Sequence, residues 1–230
     1  MSSIDVGVYV SDPNSLDSFI EMASKIGLIG LTTQNIDSGP IVKLENGLSL
    51  LRRTDVSGRG LNSIKKQIAN VRKQSMIVAI PLTTVEIANW AAEDTRVDLL
   101  TLEPSREHRF RDSTASLAAF SGTCLEIQFE PILNSVGLNR SKIIKAFREA
   151  VKTATDAGMS VVISSGAKHP MQLRSAMAMR HIGLLIGMTS KYAETVVSKT
   201  PFEILERNQR RLSPDFVGEG VEILQRGGND

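Results

Sequence analysis

The sequence predicts an irregular (β/α) TIM-like barrel of about seven parallel strands with extra C-terminal helices. Three observations lead there. Seven short runs of β-branched and aliphatic residues alternate with helical patterns, the mark of a parallel sheet covered on its faces. The 230 residues come close to the ~250 usual for that barrel. No Gly-x-Gly-x-x-Gly follows the first strand, which argues against an open dinucleotide-binding sheet. An eighth strand is not visible, hence the irregularity. Residues 1–230 read as a single barrel domain.

Residues 4–10 are the first strand. Asp12 and Pro13 then supply an N-cap and a first-turn proline, opening a helix that stops at Gly27. Residues 28–33 are the second strand. Residues 34–46 are polar, with Gly39-Pro40 and Asn46-Gly47, and read as a long loop or hairpin. The third strand, 48–56, carries Arg52 and Arg53. Beyond Gly58 and Gly60, Leu61, Ile64, Ile68 and Val71 recur at helical spacing. Residues 76–81 form the fourth strand, and Thr83 with Glu86 makes a capping box for a helix to about Ala92. The fifth strand spans 97–102, a short helix 112–120, and the sixth strand 124–129. Over 141–157, Ile143, Ile144, Phe147, Val151 and Ala154 line up opposite Lys145, Arg148 and Lys152, as in an amphipathic helix. Residues 161–163 are the seventh strand. A polar loop and a mostly apolar helix from Pro170 to Gly187 follow, then a helix over 189–198. Thr200, Pro201 and Glu203 open a last helix ending near Arg211. The tail from Ser213 reads as frayed.

Composition narrows the class. Hydrophobic residues make up 41% of the chain, enough for a real core. The net charge of +2 excludes a general polycation, so any nucleic-acid contact must come from local clusters. A single cysteine, Cys124, forms no intrachain disulfide and favours a reducing compartment. The N-terminus lacks a signal-peptide pattern, and the longest apolar run, 182–188, is far too short for a membrane span. The expectation is a soluble cytoplasmic protein that meets no membrane.

In such a barrel, function sits on the loops after the C-terminal ends of strands. The loop after the fifth strand holds Arg106, His108, Arg109 and Arg111 around Phe110, either candidates for phosphate contacts and base stacking or a solvated basic loop. The loop after the seventh strand is framed by Lys168 and Arg174, and amides at the following helix start could hold a phosphate. An ordinary strand-to-helix turn with solvated charges is the plainer reading, since Walker spacing is missing. Of Arg52 and Arg53, alternation lets only one point into the barrel, where an internal salt bridge is the plain expectation. Glu126, Gln128 and Glu130 share one face of the sixth strand. Glu126 and Glu130 are acid/base candidates, or more simply structural partners of a buried cation. Three histidines, His108, His169 and His181, without His-x-His, give poor material for a metal centre. No catalytic residue and no metal ligand is assigned. Cys124 reads as a small core residue. Lys168 could serve a lyase as a Schiff-base lysine only if its surroundings depressed its pKa.

Four segments carry a resemblance. They are 97–104 with the arginine-rich loop after it; Leu-Glu-Ile-Gln-Phe-Glu-Pro-Ile-Leu at 125–133; 161–168 with Leu173-Arg174-Ser175; and Asn-Gln-Arg-Arg-Leu-Ser-Pro at 208–214. In this order and spacing the chain resembles the barrel-type protein subunit of archaeal ribonuclease P, protein component 3. The resemblance implies a subunit of the RNA-based endonuclease that removes the 5′ leader from precursor tRNA. It implies catalysis by the RNA, with Mg2+ held there and no cofactor on the protein. It also implies partners: the catalytic RNA, precursor tRNA, ribonuclease P protein component 2 and other protein subunits. The RNA-binding candidates are then Arg52, Arg53, Arg106, His108, Arg109, Arg111, Lys168 and Arg174. A net charge of +2 is modest for such a subunit and raises the weight of the protein partner. The rival class is a stand-alone barrel enzyme, a phosphoesterase or a Lys168-dependent lyase.

Overall fold

The computed structural model describes residues 2–34, 36, 39–104 and 110–218, and the backbone of 221–222. Its main sheet contains β1 (Ile4–Asp5), β2 (Gly30–Thr33), β3 (Ile41–Lys43), β4 (Ser49–Asp55), β5 (Ile77–Pro81), β6 (Leu99–Thr101), β7 (Cys124–Gln128) and β8 (Val161–Ser164). Seven of these are parallel and follow one another in chain order, forming a nearly closed barrel. The eighth, β3, pairs antiparallel with β4, so the polar stretch before β4 is a hairpin turning at Asn46-Gly47. Gly47 takes a left-handed φ of 84° that suits glycine there.

Helices α1 (Leu16–Lys25), α2 (Leu61–Val71), α3 (Val85–Glu93), α4 (Asp112–Ser121), α5 (Glu130–Leu133) and α6 (Gly137–Asp156) make the crossovers. Alternation along each strand separates two apolar cores. On β7, Leu125 and Ile127 face the helices, together with Phe147 and Val151 of α6. Cys124 faces the lumen, with Ile4, Val6, Leu51, Ile77, Leu99 and Val162.

After β8 come α7 (Ala176–Leu185), α8 (Ser190–Ser198) and α9 (Thr200–Arg211). Helix α9 closes the N-terminal end of the barrel, and its Ile204 and Leu205 join the lumen core. Asn208 donates to the Met76 carbonyl at 2.9 Å. Arg207 reaches buried Asp98 at 3.0 Å, on which Arg72 also converges at 2.6 Å.

The seam between β1 and β8 is thinner than the other joints. One parallel bridge, Val8 to Ala167, spans it, with Tyr9 N–H donating to the Ala167 carbonyl at 2.8 Å. Below that bridge the Asp5 carboxyl accepts from Ser165 N–H at 3.1 Å. The first strand therefore ends its pairing with β2 at Asp5, earlier than the apolar run to Val10 predicts, because the chain leans toward β8.

Four boundaries differ from the sequence-based expectation. Thr84, not Thr83, caps α3, accepting from Ile87 N–H at 3.2 Å. Helix α6 begins at Gly137 behind Val136, which offers no side-chain cap to mark the start. The expected helix from Pro170 is two pieces: a single 3-10 turn at Pro170–Gln172, then α7 capped by Ser175. The tail is not frayed throughout, since β9 (Phe216–Gly218) and β10 (Val221–Glu222) pair antiparallel.

Candidate functional site at the barrel mouth

The inward positions of β4 read Leu51, Arg53, Asp55. Leu51 lies in the apolar lumen, and the next two residues start a polar layer at the mouth. Arg53 is wholly buried, and all five of its N–H groups are occupied. Its Nη1 donates to Glu126 Oε1 and to the Val6 carbonyl, each at 2.6 Å. Its Nη2 donates to Glu126 Oε2 at 2.8 Å and to Asp55 Oδ1 at 2.7 Å, and Nε to Asp55 at 3.1 Å. The fork onto Glu126 is the strong bidentate arrangement of arginine with a carboxylate. Burial alone would lower the Arg53 pKa. The charges of Glu126 and Asp55 outweigh it and hold the guanidinium well above its usual value.

Glu126 is saturated in turn. Ser164 Oγ donates to Oε1 and Thr101 Oγ1 to Oε2, each at 2.6 Å, and Gln128 Nε2 adds a third bond to Oε2 at 3.3 Å. Strand register explains the convergence. Thr101 pairs with Glu126, and Gln128 pairs with Ser164. A carboxylate with no free lone pair offers no seat for a substrate proton, so Glu126 is a structural partner, not a general base. Tyr9 covers the layer. Its hydroxyl accepts from Gln128 Nε2 at 2.6 Å, and its ring stands 5.4 Å from the Arg53 guanidinium carbon. Burial raises the Tyr9 pKa against the pull of Arg53.

Gly7 makes room for this packing. A Cβ there would stand 2.3 Å from Ser164 Oγ and 2.8 Å from Glu126 Oε1. Asp5 lies close by, buried, with Oδ2 lacking a hydrogen-bond partner among the described residues. Burial pushes its pKa above the ordinary carboxylate value, in spite of bonds from Ser165 and Gly7, and the Glu126 charge adds to the rise.

These positions reassign several candidates. Arg53 leaves the RNA-binding set, because its side chain is inaccessible and every donor is used inside the barrel. Arg52 faces away from the lumen and donates to the Ile36 carbonyl, pinning the chain after β2. Glu130 is not a barrel-lining residue. The strand stops at Gln128, and Glu130 opens α5 on the rim, where it meets Lys168 Nζ at 3.7 Å. The Lys168 side chain is 63% exposed beside that carboxylate. These surroundings are the reverse of what a Schiff-base lysine needs.

The loop after β8 is not a phosphate cradle. Lys168 N–H and His169 N–H both donate to Gln172 Oε1, at 2.8 and 3.1 Å, and His169 Nδ1 accepts from Met171 N–H. Arg174 is half-buried and donates to the Met171 and Leu173 carbonyls. Arg111 is exposed at the start of α4, whereas Phe110 packs against the core instead of offering a free ring. Arg106, His108 and Arg109 lie outside the described residues. Parallel strands put the loops of Arg111, Lys168 and Arg174 at the same end of the barrel. Burial pushes the Cys124 thiol up to about 12, so it is inert as a nucleophile at neutral pH.

Sequence reasoning missed Asp55, Thr101, Ser164 and Tyr9 as members of the polar layer. Only Asp55 carried a local signal, being two residues from Arg53 on one strand.

Comparisons with known proteins agree with one another. The family model described as RNase P subunit p30 matches residues 6–213. Ribonuclease P protein component 3 of Methanosarcina barkeri is 24% identical over 220 residues, covering 93% of this chain and 91% of that protein. The protein of the same description from Methanosarcina acetivorans is 27% identical over 205 residues, covering 88% and 84%. Among solved structures, a chain of an archaeal ribonuclease P with mature tRNA superposes with a TM-score of 0.79 at 19% identity, covering 98% of this chain and all of that one. A histidinol phosphate phosphatase of Lactococcus lactis, complexed with zinc, L-histidinol and phosphate, reaches a TM-score of 0.55 at 9% identity, covering 84% of this chain and 94% of that one. That likeness is one of fold.

Proposed function

Because the chain belongs to the RNase P subunit p30 family, we propose that it works as a protein subunit of ribonuclease P, the ribonucleoprotein that removes the 5′ leader from precursor tRNA. The observation that carries this reading is the extent of the family match, which runs from the strand-one segment through the α9 floor. The geometry supports a division of labour. At the mouth, where a barrel enzyme would keep its reacting groups, Arg53 and Glu126 consume each other's hydrogen-bonding capacity. Arg53 also puts a fixed positive charge between the carboxylates, an arrangement unsuited to a resident metal ion. The protein then contributes folding and substrate handling, and the RNA with its Mg2+ carries the chemistry. Neither the phosphoesterase nor the Lys168-dependent lyase is favoured.

Its partners in this reading are the catalytic RNA, precursor tRNA, ribonuclease P protein component 2 and other protein subunits. In this reading the RNA meets the rim at Arg111 and Lys168, with Arg106, His108 and Arg109 as further candidates for contact. No helix among the described residues is long and apolar enough to cross a membrane, and the proposed place of work is the cytoplasm.

Reconstitution tests the reading. The purified chain alone is expected to leave precursor tRNA intact, and addition of the cognate RNA and other subunits to restore cleavage at the mature 5′ end. Leader removal by the chain freed of RNA would overturn it. Elemental analysis is a second check, because about one tightly bound zinc, iron or manganese per chain would restore the phosphoesterase reading.

A further inference from the structure

Helix α7 presents an apolar stripe to solvent. Met177, His181 and Leu184 follow at i, i+4 and i+7, share one face and are exposed, with Leu185 beside them. Met177 is 56% and Leu185 42% exposed. The helix cannot roll to hide them. On its inner face, Gly183 lies so close to α8 that a Cβ would stand 2.9 Å from Ala193 Cβ.

The polar residues around the stripe have one sign. From residue 157 to residue 193 there is no Asp or Glu, although the chain contains 25 acidic residues. Two arginines border the stripe, and among the described residues neither has a carboxylate partner. Arg174 donates to the Met171 and Leu173 carbonyls, and Arg180 to Ser190 Oγ. Of the acids on neighbouring helices, Glu21 of α1 pairs with Lys25, and Glu149 and Asp156 of α6 pair with Lys145 and Lys152; Glu194 of α8 lies just past the acid-free stretch.

We infer that this face docks a protein helix whose aliphatic stripe is bordered by Asp and Glu, supplied by a partner subunit. The inference rests on the ribonuclease P reading above and adds the surface and its chemistry. Exposed thioether and aliphatic carbons do little for a phosphate backbone. Methionine and arginine with acids depleted is the composition of a protein–protein interface. Partner carboxylates would give Arg174 and Arg180 the bidentate acceptors they lack within the chain. The flexible methionine side chain adapts to an incoming apolar ridge.

The test titrates the full chain with purified ribonuclease P protein component 2 by calorimetry and compares Met177→Glu/Leu184→Glu with the wild type. Both side chains are exposed, so thermal unfolding is expected to be unchanged, and Met177→Ala/Leu184→Ala serves as the milder variant. The Glu variant is expected to weaken binding by at least about tenfold, the Ala variant by less, with RNA binding unchanged. Equal component 2 affinity for all three proteins overturns the assignment of this face. Loss of RNA binding with protein binding intact makes it an RNA surface and also overturns it. A dimer of the chain alone that the Glu variant breaks gives the face to a second copy and overturns it likewise. Failure of the wild type to bind component 2 removes both the pairing and this proposal. Leader cleavage by the reconstituted enzyme then shows independently whether the subunit reading stands.

Discussion

Replacing Arg53 by methionine keeps most of its length and removes its charge, leaving Glu126 and Asp55 without their shared partner. The expected loss is roughly 3–5 kcal/mol, the usual consequence of stranding a buried charge, measured by denaturant unfolding. Glu126→Ala strands Arg53 in the same way, and a double-mutant cycle between the two should show strong coupling, since one bidentate contact joins them. Asp5 gives the residue scale a pH dependence. Its folded pKa is raised, so its protonated form is the one the fold favours. The associated stability is complete below the unfolded carboxylate value and is lost as pH rises through the raised folded value. Asp5→Asn, which mimics the neutral form, should flatten that part of the stability profile; an unchanged profile would assign the dependence to another group. Legibility at this scale was uneven. Alternation sufficed to say that only one of Arg52 and Arg53 could enter the barrel. It could not give Glu126 as the partner, because 73 positions separate the two and only the strand order brings them together.

Elements were more legible than contacts. All seven parallel strands were visible: β5 and β8 as aliphatic runs, because strands buried on both faces read so, and β4 and β7 in spite of the polar residues they turn inward. The starts of α2, α4 and α9 were legible without a side-chain cap, and elsewhere a cap helped to mark the end. Asp12 and Pro13 did so, while α6 starts behind Val136 with no cap, and its first turn leaves no mark in the sequence. Pro170 also misled, since it opens a single 3-10 turn and the longer helix waits for the Ser175 cap. Helix α9 was legible from Thr200 to Arg211, but its place as the barrel floor was not, as nothing in an amphipathic stripe says which surface it will cover. Its anchoring is open to test. Asn208→Leu removes the shorter of two bonds to the buried Met76 carbonyl, leaving Arg72 Nη2 at 3.3 Å, and the expected cost is about 0.5–1.5 kcal/mol for one lost hydrogen bond. Thermal unfolding of the full chain reads it, and a neutral substitution would mean that the apolar contacts of Ile204 and Leu205 hold the helix alone.

For the molecule as a whole, the rim loops predict a separation between folding and assembly. If these arginines serve assembly and not the fold, the triple variant Arg106→Ala, Arg109→Ala and Arg111→Ala should unfold within roughly 0.5 kcal/mol of the wild type. Its reconstituted leader cleavage should fall off at higher salt, with the slope of assembly against salt reduced by ~0.7–0.9 for each phosphate contact removed. A salt series identical to that of the wild type would make this loop an ordinary solvated surface. The thin seam between β1 and β8 bears on how such a chain comes to be made. Asp5 meets Ser165 across 160 positions, and Ser3 Oγ donates to the Val197 carbonyl across 194. During synthesis the outer flank of the first strand waits for its neighbour until most of the polypeptide has left the ribosome, on the order of ten seconds at ordinary elongation rates. Over that interval its unpaired N–H and C=O groups are open to pairing with another nascent chain. Ring closure at the seam is then the late event of folding, and substitutions at Asp5 and Ser165 should speed unfolding far more than they slow refolding.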